Sequence, residues 1–96
     1  MKTARIHITE AQSEVFFDLI VRSPWFRNKA KGCTYATRSN RKGAEVTFDV
    51  DHDVDDLLEM LAVATRFGHP YRTCRALENR VATAAEHARA VRREAA

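Results

Sequence analysis

The chain has few of the residues from which cross-links, metal sites and phosphate loops are made. Its two cysteines, Cys33 and Cys74, are too few for a disulfide framework. Its three glycines, Gly32, Gly43 and Gly68, are scattered singly at turn-like positions, which excludes a Gly-rich phosphate loop. His7, His52, His69 and His87 share no short spacing with one another or with a cysteine, so no zinc pattern is present. The longest apolar clusters, 15–21 and 57–64, are interrupted by Asp18 and Glu59, and neither approaches a membrane span. The first dozen residues alternate and reach Glu10 at once, so they do not read as a signal peptide. The expectation is a soluble cytoplasmic protein with both thiols buried.

Charge of one sign is also missing locally. Between positions 19 and 44 there are seven basic residues and no acid: Arg22, Arg27, Lys29, Lys31, Arg38, Arg41 and Lys42. Between 43 and 65 there are seven acids and no Lys or Arg: Glu45, Asp49, Asp51, Asp53, Asp55, Asp56 and Glu59. Such segregation leads one to expect a rigid body with its positive and negative ends held apart. The composition around it is ordinary for a globular chain, 45% hydrophobic and 30% charged, with a net charge of +3 that permits nucleic-acid contact without requiring it.

Ninety-six residues make one domain, with room for one small sheet and one layer of helices. Residues 4–9 alternate, with Ala4, Ile6 and Ile8 on one face, which predicts a half-buried strand. Thr9-Glu10-Ala11-Gln12 matches a capping box for a helix to about 22. Its apolar stripe is Ala11, Val15, Phe16, Leu19 and Ile20, with Ser13 outside. Ser23-Pro24 ends it, and Pro24 is suited to open a short extra turn. Strands are expected over 33–38 and 44–51, joined by a loop at 39–43. In the first, Cys33, Tyr35 and Thr37 face the core. In the second, Ala44, Val46, Phe48 and Val50 do, leaving Asp49 and Asp51 outside. A helix over about 54–67, capped by Asp53 or Asp55, carries Leu57, Leu58, Leu61, Ala64 and Phe67 inward, and Gly68 closes it. The last helix, about 71–93, shows a heptad: Cys74, Val81 and Ala88 at one seam position, Leu77, Ala84 and Val91 at the other.

The order strand, helix, strand, strand, helix, helix defines an α+β two-layer sandwich, a three-stranded sheet covered on one face. The link from 9 to 33 is long enough for a right-handed crossover between parallel strands, but strand order is open.

The acidic string 49–56 has the look of a calcium loop and fails the test. With Asp51 as first ligand, Asp56 replaces the turn glycine and Ala62 the bidentate Glu. With Asp49 first, Val54 and Met60 stand there. An outer strand face accounts for Asp49 and Asp51 instead, and complementarity to the helix N-terminus for Asp53, Asp55, Asp56 and Glu59. No catalytic, cofactor or metal residue can be assigned, and the chain is read as a non-enzyme.

Two functional readings follow. In the first, the chain is an interaction protein that binds a larger protein or nucleoprotein complex of its host. Its contacts would be Trp25, Phe26, Arg27, Arg38, Arg41 and Lys42, or an acidic face of Asp49, Asp51, Asp53 and Asp55. In the second, it is a small RNA- or DNA-binding regulator that uses the basic segment 22–42, where cations for phosphates alternate with aromatics for bases. The last helix adds outward arginines at 72, 75, 80, 89, 92 and 93. Its small-residue seam packs either on the 54–67 helix or on its copy in a homodimer.

No family motif is present. In build alone (short, α+β, charge-segregated, without visible chemistry) the chain is similar to the small inhibitor and adaptor proteins of phages and mobile elements, anti-CRISPR proteins among them. That resemblance implies action by occupying a surface on a larger complex.

Overall fold

The order of elements is β1 (Thr3–Ile8), α1 (Glu10–Arg22), α2 (Pro24–Lys29), β2 (Thr34–Thr37), β3 (Ala44–Asp49), α3 (Val54–Ala64), a 3-10 turn (Thr65–Phe67) and α4 (Tyr71–Ala95). The computed structural model describes residues 2–37 and 42–95, with side chains as far as 91.

β3 lies in the middle of the sheet, antiparallel to β1 on one side and to β2 on the other. The two outer strands therefore run in the same direction without touching. The 9–33 connection, long enough for a crossover between parallel strands, does join two strands of like direction, and a strand from later in the chain lies between them. Strict alternation gives β1 and β3 one apolar face, Ala4, Ile6 and Ile8 beside Ala44, Val46 and Phe48, all buried. The helices cover that face. The other presents Thr3, Arg5, His7, Thr34, Ala36, Glu45 and Thr47, tied by an ion pair of 3.1 Å from Arg5 Nε to Glu45 Oε1. The fold is thus the α+β sandwich expected from the sequence, with a small antiparallel sheet.

Local chemistry sets the ends. At α1 the Thr9 hydroxyl accepts from the Gln12 amide at 3.2 Å, and Gln12 Oε1 accepts from the Thr9 amide at 2.9 Å, a complete capping box. Gly68 ends the 3-10 turn at φ +89, in the left-handed region that glycine enters at little cost. Gly43, at φ +100, opens β3 so close to Ile8 that any Cβ would collide with the Ile8 carbonyl oxygen.

Several inward and outward assignments change. Ser13 is buried, because its hydroxyl donates to the Glu10 carbonyl at 2.8 Å and needs no solvent, while Ala11 is exposed. All four residues of β2 are exposed, since it is an edge strand; Tyr35 still leans its ring on Phe16 and Phe17. In α3, Met60 joins the core, and in the 3-10 turn after it Phe67 is half-exposed. The α4 seam is not a heptad. Its buried positions are Cys74, Leu77, Val81 and Ala85, the spacing of a straight 3.6-residue helix, and Val91 has rotated out to 42% exposure.

α4 packs on α3, on α1 and along β1. Two of its arginines reach sheet-side backbone: Arg80 Nη2 donates to the His7 carbonyl at 3.0 Å and Arg89 Nη2 to the Val50 carbonyl at 2.9 Å. These cations hold the layer in place. Arg92 and Arg93 lie beyond the described side chains.

Candidate interaction surface

The charge segregation of the sequence does not survive folding. Lys29, from the basic stretch, bonds Glu59 at 3.0 Å and Asp56 at 3.4 Å, both from the acidic stretch. The Glu59 carboxylate raises the Lys29 ammonium above its ordinary value. Gly32, three residues past α2, passes so close to the start of α3 that a Cβ there would strike the Asp53 carboxylate. The expected positive and negative ends therefore meet along one seam.

The acidic set divides. Asp49 is not on the solvated face that alternation assigned to it; its side chain is 7% exposed. The strand ends here in a tight turn whose amides need an acceptor, and Asp49 Oδ1 takes the amides of Asp51 at 2.7 Å and His52 at 3.1 Å. Asp53 occupies the cap position of α3 without capping it, because Oδ2 accepts the Asp49 amide at 2.8 Å instead. Asp49 and Asp53 thus bind backbone of their own loop, while Asp51 and Asp55 are the exposed members of the four.

The basic set divides too. Phe26 is a core side chain at 2% exposure, so it can brace a contact without making one. Lys42 lies beside Glu10 at 3.5 Å, at the N-terminal end of α1, whereas α2 follows the C-terminal end. Arg38 and Arg41 lie outside the described residues. Trp25 and Arg27 are exposed on α2.

What surrounds Trp25 is more organised than its sequence neighbourhood indicates. Its ring meets Phe26 at 84° with centroids 5.1 Å apart. Phe67 meets the same Phe26 at 81° and 5.4 Å. One buried ring thus braces two rings from different elements, 42% and 44% exposed. Each exposed ring also carries a cation: Lys29 Nζ lies 5.3 Å from the Trp25 centroid and Arg22 Cζ 5.4 Å from that of Phe67. Both cations are held by acids, Lys29 as above and Arg22 by Asp18 Oδ2 at 3.1 Å. The same Asp18 oxygen lies 2.7 Å from His69 Nε2. The Arg22 guanidinium first, and His69 second, hold the Asp18 carboxyl below its ordinary 3.8. Val21 and Tyr71, on neighbouring helix ends, are exposed at 72% and 68%.

The sequence reading missed the Arg22–Phe67 and Asp18–His69 contacts and the exposure of Val21. The signal for Phe67 was present: it sits last before Gly68, where a helix face runs out of cover.

Chemistry of other kinds finds little footing. Among the described residues no group of three or more His, Cys, Asp or Glu side chains is placed to hold a metal ion. Cys33 is buried, and desolvation, with Asp53 and Asp56 nearby, pushes its thiol up to about 12. Burial raises Cys74 as well. Among the described residues no helix is long and apolar enough to cross a membrane. The α4 seam at Cys74, Leu77 and Val81 is buried within the monomer and Ala84 and Ala88 pack against the same core, which leaves Val91 as the exposed seam position.

The fold is that of a small α+β protein with a three-stranded antiparallel sheet. No protein-family model, no curated protein and no solved structure matches the chain.

Proposed function

We propose that this chain is a non-enzymatic interaction protein that binds a larger protein or nucleoprotein complex of its host, in the manner of phage- and mobile-element-encoded inhibitors of the anti-CRISPR type. The observation that carries this reading is the pair of half-exposed rings, Trp25 and Phe67, braced on Phe26. Aromatic side chains already held in place lose little freedom on binding, and such residues dominate the energetics of protein interfaces. The free, buried thiols suit the reducing cytoplasm. A quantitative pull-down from host lysate tests it, with the Trp25→Ala/Phe67→Ala double variant beside the wild type. A partner that the wild type retains and the folded double variant loses is expected. Equal recovery by both, or recovery of nothing, ends this reading.

The second reading, direct RNA or DNA binding by the 22–42 segment, draws support from Arg27 and Lys31, exposed cations that form no ion pair among the described residues. Against it, Lys29 is engaged by acids and Lys42 lies at the far end of α1. A mobility-shift assay over a salt series separates the two, because phosphate binding weakens steeply as salt rises.

A further inference from the structure

We propose that the Trp25–Phe67 corner seats an acidic segment of a partner protein, with an aliphatic or aromatic anchor of that segment against the two rings and its carboxylates facing Arg27, Lys31 and Arg66. This rests on the protein-binding reading above and adds the chemistry of the partner. The apolar part follows from exposure: Trp25 and Phe67 both pack on the buried Phe26 and each keeps more than two-fifths of its surface open, and Val21 at the end of α1 is exposed as well. The charge follows from counting partners. Arg22 and Lys29, the cations stacked on the rings, are each matched by acids, Asp18 for one and Glu59 with Asp56 for the other. Among the described residues Arg27, Lys31 and Arg66 are exposed and form no ion pair, so with Arg22 and Lys29 the cations here outnumber the three acids Asp18, Asp56 and Glu59 that pair with them.

The same geometry disfavours a nucleic-acid strand. A phosphate backbone would pass over Asp18, Asp56 and Glu59, which sit among the cations at this corner. One side of each ring is already occupied by its own cation, which narrows the room for base stacking. The remaining described cation of the 22–42 segment, Lys42, pairs with Glu10 at the opposite end of α1, about 20 Å away along a 13-residue helix. A peptide places its carboxylates intermittently and can leave the three acids unopposed.

Trp25 is the one tryptophan of the chain, so its emission reports on the corner directly. The experiment pans a displayed library of random twelve-residue peptides on the whole protein and titrates the enriched peptides by Trp25 fluorescence. Enrichment of sequences that combine Asp or Glu with Leu, Ile, Phe or Trp is expected. Their affinity should fall about tenfold or more in Phe67→Ala and in Arg66→Glu. Both positions are exposed enough for the fold to persist, which circular dichroism checks. A single-stranded 20-mer oligonucleotide is titrated in parallel and is expected to leave the Trp25 signal unchanged. Enriched peptides that are basic or uncharged, or whose binding survives both substitutions, overturn the inference, and so does saturable quenching by the oligonucleotide. If the pull-down partner is still lost in the Trp25→Ala/Phe67→Ala variant while the selected peptides are not acidic, the protein-binding reading stands and only the partner's chemistry was wrong.

Discussion

The ring of Phe67 stands nearly perpendicular to that of Phe26, at 81° with centroids 5.4 Å apart, joining the turn after α3 to α2. The two residues have the same side chain and opposite situations, 44% and 2% exposed. Phe26→Ala should therefore cost about 3–5 kcal/mol of folding stability, the range for emptying a buried aromatic site. Phe67→Ala should cost only the pair contact and a little area, about 0.5–1.5 kcal/mol. Urea unfolding of the two variants at neutral pH checks the contrast. Equal losses would mean that Phe67 is a core residue and no part of a contact surface.

Asp49 offers a second contrast. Its buried carboxylate accepts two loop amides, so Asp49→Ala leaves both without an acceptor, at a cost of about 1–3 kcal/mol. Asp55, exposed in the first turn of α3, should change stability by no more than about 0.5 kcal/mol when replaced by Ala. If the acids at 49 and 55 are interchangeable in a denaturation series, the turn assigned to Asp49 is wrong.

The Asp18 carboxyl, lowered by Arg22 and His69, makes a signed pH claim. A depressed folded value favours the native state above the ordinary 3.8, and that contribution disappears as pH falls through the lower folded value. Carboxyl titration followed by NMR should place Asp18 below 3.8 in the native protein. In Arg22→Ala the midpoint should move up toward 3.8, and in His69→Ala it should move up by less. A midpoint that stays put in both variants removes the Arg22–Asp18–His69 chain as an organised element.

Both thiols should be inert while the protein is folded. With Cys33 pushed up to about 12 and Cys74 also raised by burial, a disulfide reagent at pH 8 should label neither in the native state. Both should react in denaturant. Rapid native labelling of Cys33 would show that the joint between α2 and β2 opens.

Much of the scaffold could be read from residue order because local rules and tertiary packing agree there. Thr9 with Gln12, Pro24 at a helix start, Gly68 past a helix end and the alternation of β1 and β3 all specify the element that forms. The functional surface was less legible because it depends on what packs against what. Phe26 and Trp25 are adjacent in sequence, and the packing of α2 on α1 and α3 decides which of them is covered. Alternation put Asp49 outside because a period-two rule cannot register that the strand is ending and its amides turn inward. Segregated charge suggested separated poles until Lys29 was found bonded to Glu59. The heptad in α4 is a near miss, since a straight helix drifts off a seven-residue repeat and buries Ala85 more deeply than Ala84.

The central place of β3 bears on how the protein is made. β1 leaves the ribosome early, yet its sheet partner is Ala44–Asp49, and β2 waits for the same segment. Until that stretch emerges, the apolar sides of β1 and α1 have no sheet to close against, and a nascent polypeptide halted before it is a natural client for chaperones and proteases.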